Sequence, residues 1–227
     1  MRFRGLERTG AGVSVAIIDS GIDAMDPRIS GHRVSGWSIE LSATGHALLG
    51  ADASDVHGQG TTMAAAVSAV APQATLMGVR IMDEALRTSA DLMAAGIETA
   101  YRNGARIISL SMGTPNMGKA LLLRDACAMA VDSGAVVLAA AHPRGERAYP
   151  ADIPETVGVA SHPDCGIDRF FHFQPDQFRP SEWGHLSGKF LAPGYEGGIV
   201  ESHAYRGPAI ATAHLAGVLA CIAESMS

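Results

Sequence analysis

Val13-Ser14-Val15-Ala16-Ile17-Ile18-Asp19-Ser20-Gly21 is a nearly continuous apolar, β-branched run that stops on an acid. An alternating run would mark a strand with one wet face. A continuous one marks a strand buried on both faces, as in a parallel sheet covered by helices. The run predicts a buried strand over Val13–Ile18, with Asp19 at its carboxyl end. In open parallel sheets, reactive groups gather beyond that end of the strands.

The rest of the chain repeats the theme. Thr75–Ile81, Arg106–Ser111, Ala135–Ala140 and Thr156–Ala160 read as further strands. Ala64–Val70, Ala90–Arg102, Ala120–Val131 and Pro208–Ser225 read as helices. Leu92, Met93, Ile97, Ala100 and Tyr101 recur at helical spacing, and Asn103-Gly104 supplies a stop. Strands alternating with helices predict a three-layer α/β/α domain with a mostly parallel central sheet. With 227 residues, one domain spanning 1–227 accommodates the whole pattern. Asp164–Arg179 interrupts it with a cluster of phenylalanines and reads as a surface loop pinned by its aromatics.

Composition excludes several functions. The net charge is −6 and no Lys/Arg cluster stands out, which argues against a nucleic-acid partner. No apolar stretch reaches bilayer length, so no membrane role is expected. The N-terminal residues lack the apolar core of a signal peptide, so a cytoplasmic location is expected, with secretion by way of a removed leader as the alternative. Cys127, Cys165 and Cys221 match no zinc spacing and read as core residues or free thiols. Nothing in the chain fixes an oligomeric state.

Three motifs carry the chemistry. They are Ala16-Ile17-Ile18-Asp19-Ser20-Gly21-Ile22-Asp23, then Asp55-Val56-His57-Gly58-Gln59-Gly60-Thr61, then Gly207-Pro208-Ala209-Ile210-Ala211-Thr212-Ala213-His214-Leu215-Ala216-Gly217. Taken singly, Asp19 reads as a turn cap and His57 as a surface histidine after an acidic loop. In this order, with these strands between them, they resemble the subtilisin-like serine proteases. The resemblance runs from about Gly12 to Gly217 and implies a subtilisin-like peptidase domain. It implies that Asp19 orients, that His57 is base and then acid, and that position 209 is the nucleophile slot, here alanine. Ser111-Met112-Gly113 would pair with substrate backbone. Ala139, Ala140 and Ala141 would line one side of a specificity pocket, with Tyr149-Pro150-Ala151 nearby. Leu191–Gly194 resembles the turn before the serine region. His214 matches a structural histidine of the family, and Asp23 reads as a turn residue.

The chemistry explains the residue types. A serine hydroxyl is a weak nucleophile at neutral pH, so an imidazole must take its proton during attack. A buried carboxylate holds the other ring nitrogen in the right tautomer. A helix N-terminus at the nucleophile favours developing negative charge.

Two departures matter most. Ala209 has no oxygen, and the nearby hydroxyls of Ser202, Tyr205 and Thr212 are not at the helix entrance. The family's oxyanion asparagine falls on Pro143, which cannot donate, or on His142, which can; His142 is the oxyanion candidate. The third departure, Gln59-Gly60-Thr61, alters the wall beside His57. Two readings of Ala209 follow. In one, it replaces a natural serine, introduced to stop self-cleavage or to trap a peptide. In the other, the chain is a natural pseudoprotease that binds a peptide or protein. The altered oxyanion segment favours the second; the retained Asp19 and His57 motifs favour the first, which is the reading preferred.

Rival classes fit less well. A dinucleotide fold needs its glycines after the first strand, whereas Gly10 and Gly12 precede it. An aspartate-nucleophile phosphatase would carry a second acid where Gly21 stands, and no clustered His/Cys ligands suit a zinc hydrolase. The expected activity is serine endopeptidase hydrolysis of peptide or protein substrates. Trimming of a precursor peptide is the expected role, because no propeptide or signal is evident and the chain is compact for the family. No cofactor is needed. Structural calcium occurs in relatives, but no dedicated acidic loop is present here.

Overall fold

A computed structural model describes residues 2–3, 6–162, 170–172, 190–192 and 207–226. The buried strand expected from the opening run is β3 (Ser14–Asp19), preceded by a short hairpin of β1 (Arg2–Phe3) and β2 (Leu6–Glu7). Its side chains alternate between two cores. Val15 and Ile17 enter one, Ala16 and Ile18 the other, and all four are at most 1% exposed. Burying each larger aliphatic side chain contributes roughly 1.5–3 kcal/mol.

The remaining elements are β4 (Val34–Leu41), β5 (Ala47–Gly50), α1 (Gln59–Val70), β6 (Thr75–Arg80), α2 (Ala90–Arg102) and β7 (Ile107–Leu110). They are followed by α3 (Ala120–Asp132), β8 (Val136–Ala140), β9 (Val157–Ser161), β10 (Phe171–His172), β11 (Phe190–Ala192) and α4 (Pro208–Glu224). Among the described residues, one sheet has the order β10-β11-β9-β8-β7-β3-β6-β4-β5. The seven inner strands are mutually parallel, and an antiparallel strand closes each edge. α1 and α4 cover one face and α2 and α3 the other. This is the α/β/α layering expected from the sequence. No helix among the described residues is long and apolar enough to cross a membrane.

Two expectations change. The α1 helix starts at Gln59, five residues before the expected Ala64, because outside groups cap its first turn. β4 and β5 were not expected at all. They lie at the sheet edge, where Val34-Ser35-Gly36-Trp37-Ser38-Ile39-Glu40-Leu41 mixes polar and apolar residues and does not read as a buried run. The expected loop at Asp164–Arg179 lies outside the described residues apart from 170–172, whose last two residues pair with β11. Cys127 and Cys221 are buried free thiols, and Cys165 lies outside the described residues.

α1 and α4 run in the same direction. Gly10, at the amino end of β3, sits against Ala71 just past α1 and Ala220 in α4. Glu224, the last residue of α4, accepts the Thr9 and Gly10 amides, both at 2.8 Å. Midway along α4, a Cβ on Gly217 would lie 2.8 Å from the Val70 Cβ and 3.0 Å from the Val67 carbonyl oxygen in the last turn of α1, so the helices meet backbone to backbone. Each helix extends about 12 Å from that contact to its first turn. Both first turns therefore reach the carboxyl end of the sheet.

The first turn of α1 abuts the chain just beyond β3. A Cβ on Gly60 would overlap the Gly21 carbonyl oxygen. Gly60→Ala is expected to destabilise the fold by about 1–3 kcal/mol, since the obstructing atom is backbone and cannot swing aside. Urea unfolding measures this, and an unchanged midpoint would refute the close approach.

Candidate active site

Sheet register lines up the candidate residues. Ile18 pairs with Leu110, and Leu110 with Ala139. Asp19, Ser111 and Ala140 thus form the next row, across three adjacent strands at their carboxyl ends. The Asp19 carboxylate is fully buried. Its Oδ1 accepts the Ser20 amide at 2.7 Å, and its Oδ2 accepts the Ser111 hydroxyl. Burial pushes its pKa up to about 6, against the pull of these hydrogen bonds, and the nearby Asp55 charge adds to the rise.

His57 lies two residues before α1, with an exposed side chain. Its segment is anchored by Asp55, a residue that the sequence showed only as part of an acidic loop. Asp55 Oδ1 accepts the His57 amide at 3.0 Å, the Gly58 amide at 2.7 Å and the Ser20 hydroxyl at 2.7 Å. Its Oδ2 accepts the Thr61 amide at 2.8 Å and the Thr61 hydroxyl. Ser20 Oγ in turn accepts the Gly60 amide at 3.0 Å. Gly58 at the N-cap has no side chain to cap the helix, so Asp55 and Ser20 take up amides that the helix cannot satisfy itself. Burial opposes ionisation of Asp55, but the hydrogen bonds from Thr61, Gly58, His57 and Ser20 outweigh it and hold its carboxyl below the usual range. The signal in the sequence was an acid two residues before the histidine and three before a glycine N-cap.

Ala209 is in the first turn of α4, with Gly207 at the N-cap and Pro208 at the first helical position. Its methyl packs partly buried on the α1–α4 core. The Thr212 hydroxyl is bonded back to the Pro208 carbonyl at 2.7 Å, which ties it to its own helix. Ser202 and Tyr205 lie outside the described residues, as do Pro193 and Gly194. His214 is buried within α4. Asp23 Oδ1 accepts the Met25 amide at 2.9 Å, the turn role expected of it.

The other wall is formed from the strands beyond Ser111. Met112 packs partly buried on the α2–α3 core. A Cβ on Gly113 would lie 3.1 Å from the Tyr149 carbonyl oxygen and 3.2 Å from the Ala148 Cβ. Thr114 and Tyr149 exchange two backbone hydrogen bonds at 2.8 Å, and the Tyr149–Pro150 peptide is cis. Ala139 is wholly enclosed in the α2–α3 core, while Ala140 and Ala141 are 5% and 4% exposed. The Ala141 amide is bonded to Val159. His142 Nδ1 lies 4.0 Å from the Glu146 carboxylate within its own loop and has no hydrogen-bond partner among the described residues. Among those residues, no three His, Cys, Asp or Glu side chains gather to hold a metal ion.

An acid, an imidazole-bearing segment and the first turn of a small-residue helix thus converge on one end of a seven-strand parallel sheet, the layout of a subtilisin-type hydrolase. Residues 10–226 match the Subtilase family, a family of serine peptidases, and the chain belongs to it. It is 32% identical over 162 residues to thermitase from Thermoactinomyces vulgaris, covering 67% of this chain and 56% of that protein. It is 31% identical over 224 residues to subtilisin E from Bacillus subtilis, covering 94% of this chain and 56% of that protein. The chain thus spans just over half the length of these relatives. The fold is also that of a cold-adapted subtilisin-like serine proteinase, with a TM-score of 0.71 at 22% identity, covering 96% of this chain and 77% of the other.

The buried acid makes a pH prediction. The folded state binds the Asp19 proton up to about pH 6, whereas the unfolded chain releases it near 3.8. The unfolded state therefore holds fewer protons in that window, and stability falls as pH rises through it. Asp19→Asn removes this dependence. Its stability relative to the parent should rise between pH 4 and pH 6.5, reach about 3 kcal/mol and then level off. Paired urea titrations across this range test it; a constant difference would contradict the assigned burial.

Proposed function

We propose that this chain carries a serine endopeptidase site that works through Asp19, His57 and a hydroxyl at position 209, and that with Ala209 it holds peptide without cleaving it. The observation that carries this reading is the fully buried Asp19 carboxylate, with both oxygens occupied, at the sheet end reached by the first turns of α1 and α4. Burying a carboxylate costs stability even when it is hydrogen-bonded, and groups held in this way cluster at functional sites. Family membership and the relatives' names support a peptide or protein substrate.

In a chain with serine at 209, its Oγ bonds to the scissile carbonyl carbon as His57 takes the hydroxyl proton. The carbonyl electron pair moves to oxygen, and the first-turn amides of α4 favour that charge. Collapse breaks the C–N bond, and His57 returns the proton to the leaving nitrogen. Water then repeats the sequence on the acyl-enzyme, and Asp19 stays ionised throughout. Ser111–Gly113 offers an extended edge for substrate backbone. With a methyl at 209, no bond to carbon can form. This reading takes Ala209 as a replacement for serine.

One observation favours a second reading, a natural peptide-binding module. In the segment after β8 the slot of the oxyanion asparagine falls on Pro143, which cannot donate, or on His142, whose Nδ1 lies 4.0 Å from the Glu146 carboxylate.

The two readings separate in one experiment. Ala209→Ser and Ala209→Ser with His57→Ala are assayed against a peptide library, alongside peptide binding by the parent chain. Cleavage by the first and a loss of at least about 10³-fold in kcat for the second support the peptidase. A folded Ala209→Ser protein that binds peptides tightly and cleaves none supports the binding module.

A further inference from the structure

We infer that Asp55 is a positioning residue of this site: through Ser20 and Thr61 it fixes the His57 segment against Asp19. The inference rests on the reading of Asp19 and His57 as an acid–base pair and goes beyond it, since neither the family's triad nor the sequence motifs give Asp55 a task.

The hydrogen bonding around Asp55 is specific to a carboxylate. Five donors converge on it: the Ser20 hydroxyl, the His57, Gly58 and Thr61 amides, and the Thr61 hydroxyl. Each carboxylate oxygen receives at least one backbone amide, which cannot reverse, and each hydroxyl uses one lone pair to accept an amide of its own. Ser20 Oγ takes Gly60 N at 3.0 Å, and Thr61 Oγ1 takes Asp23 N at 2.9 Å. An asparagine at 55 would turn an NH₂ group toward one of these donor sets, so the near-isosteric change breaks the arrangement.

These bonds also form a continuous connection to the catalytic acid. Ser20, fully buried, gives its hydroxyl to Asp55 and its amide to Asp19 Oδ1 at 2.7 Å. Asp55 holds the backbone of His57 and of Gly58 directly. From Asp19 to the His57 amide, the path is Asp19–Ser20–Asp55–His57, and every step is a hydrogen bond or a peptide unit. The same carboxylate braces α1 through Thr61. Loss of Asp55 frees the His57 segment at both ends while leaving Asp19, Ser111 and the sheet register in place. Displacing a catalytic base by about 1 Å costs on the order of 10²-fold in rate.

The test needs a readout that a purely structural brace would not move. In the chain with Ala209, an Nδ1 proton of His57 held by a carboxylate gives a low-field proton resonance. That resonance should be present in the parent, absent in Asp19→Asn, and lost or strongly weakened in Asp55→Asn. Thr61→Val should weaken it, and Thr61→Ser, which keeps the hydroxyl, should preserve it. In the Ala209→Ser form, Asp55→Asn should lower kcat by about 10- to 100-fold with KM within about twofold.

A folded Asp55→Asn protein that retains the resonance overturns the inference and leaves the acid–base pair standing. Absence of the resonance in the parent overturns the acid–base pair and this inference together. If Asp55→Asn does not fold, the Thr61→Val and Thr61→Ser pair decides: equal resonances in the two overturn the inference.

Discussion

Burial of one carboxylate at the carboxyl end of the central strand constrains everything around it. An acid enclosed on all sides needs hydrogen bonds to its oxygens, and only a few groups can reach the end of β3. Its own next amide supplies one, and the hydroxyl following β7 supplies the other. The second depends on register: a one-residue slip between β3 and β7 would turn the Ser111 side chain to the other face of the sheet. The apolar content of the strands fixes that register, because Ile17 and Ile18 must each find their own core. The cores thereby position the acid.

Parallel α1 and α4 do the rest. Because both helices start at the same sheet end, their first turns lie beside the strand termini that bear Asp19 and Ser111. Their close contact at Gly217 depends on small residues along α4 and explains why a helix so rich in alanine can be almost wholly buried. The constraint at Gly60 is of the same kind, with backbone against backbone where a methyl group would intrude.

The two halves of the site differ in how firmly they are held. Around Asp19 and His57, the Asp19, Ser20, Asp55, Thr61 and Ser111 side chains all have partners. Around His142, the ring nitrogen Nδ1 has no hydrogen bond among the described residues and faces a carboxylate at the edge of ion-pair range. Under the proposed reading, the acid–base half keeps its full support, while the half that would stabilise charge on the substrate has been rebuilt. Among the described residues, position 209 belongs to neither network, and its methyl packs partly buried on the α1–α4 core.

The inner strands and helices were legible because continuous apolar runs and helical spacing report burial locally; α2 was expected over Ala90–Arg102 and forms there. Edge strands β4 and β5 were not, because a half-solvated strand mixes residue types and acquires its identity from its partner β6. Asp19 and His57 could be picked out by motif, and Ala209 by its place in a third. The role of Asp55 could not: four of its five donors are local, from residues 57, 58 and 61, but the fifth, the Ser20 hydroxyl that ties it to the buried acid, reaches it only when α1 docks against the end of β3. The sequence alone determined the layers, the order of the elements along the chain and the alanine at 209, because hydrophobic pattern and side-chain chemistry are local properties. Tertiary structure decided which hydroxyl holds the buried acid and how the histidine segment and the start of α1 are tied to it, because the Ser111–Asp19, Ser20–Asp55 and Gly60–Ser20 hydrogen bonds join groups far apart in the chain.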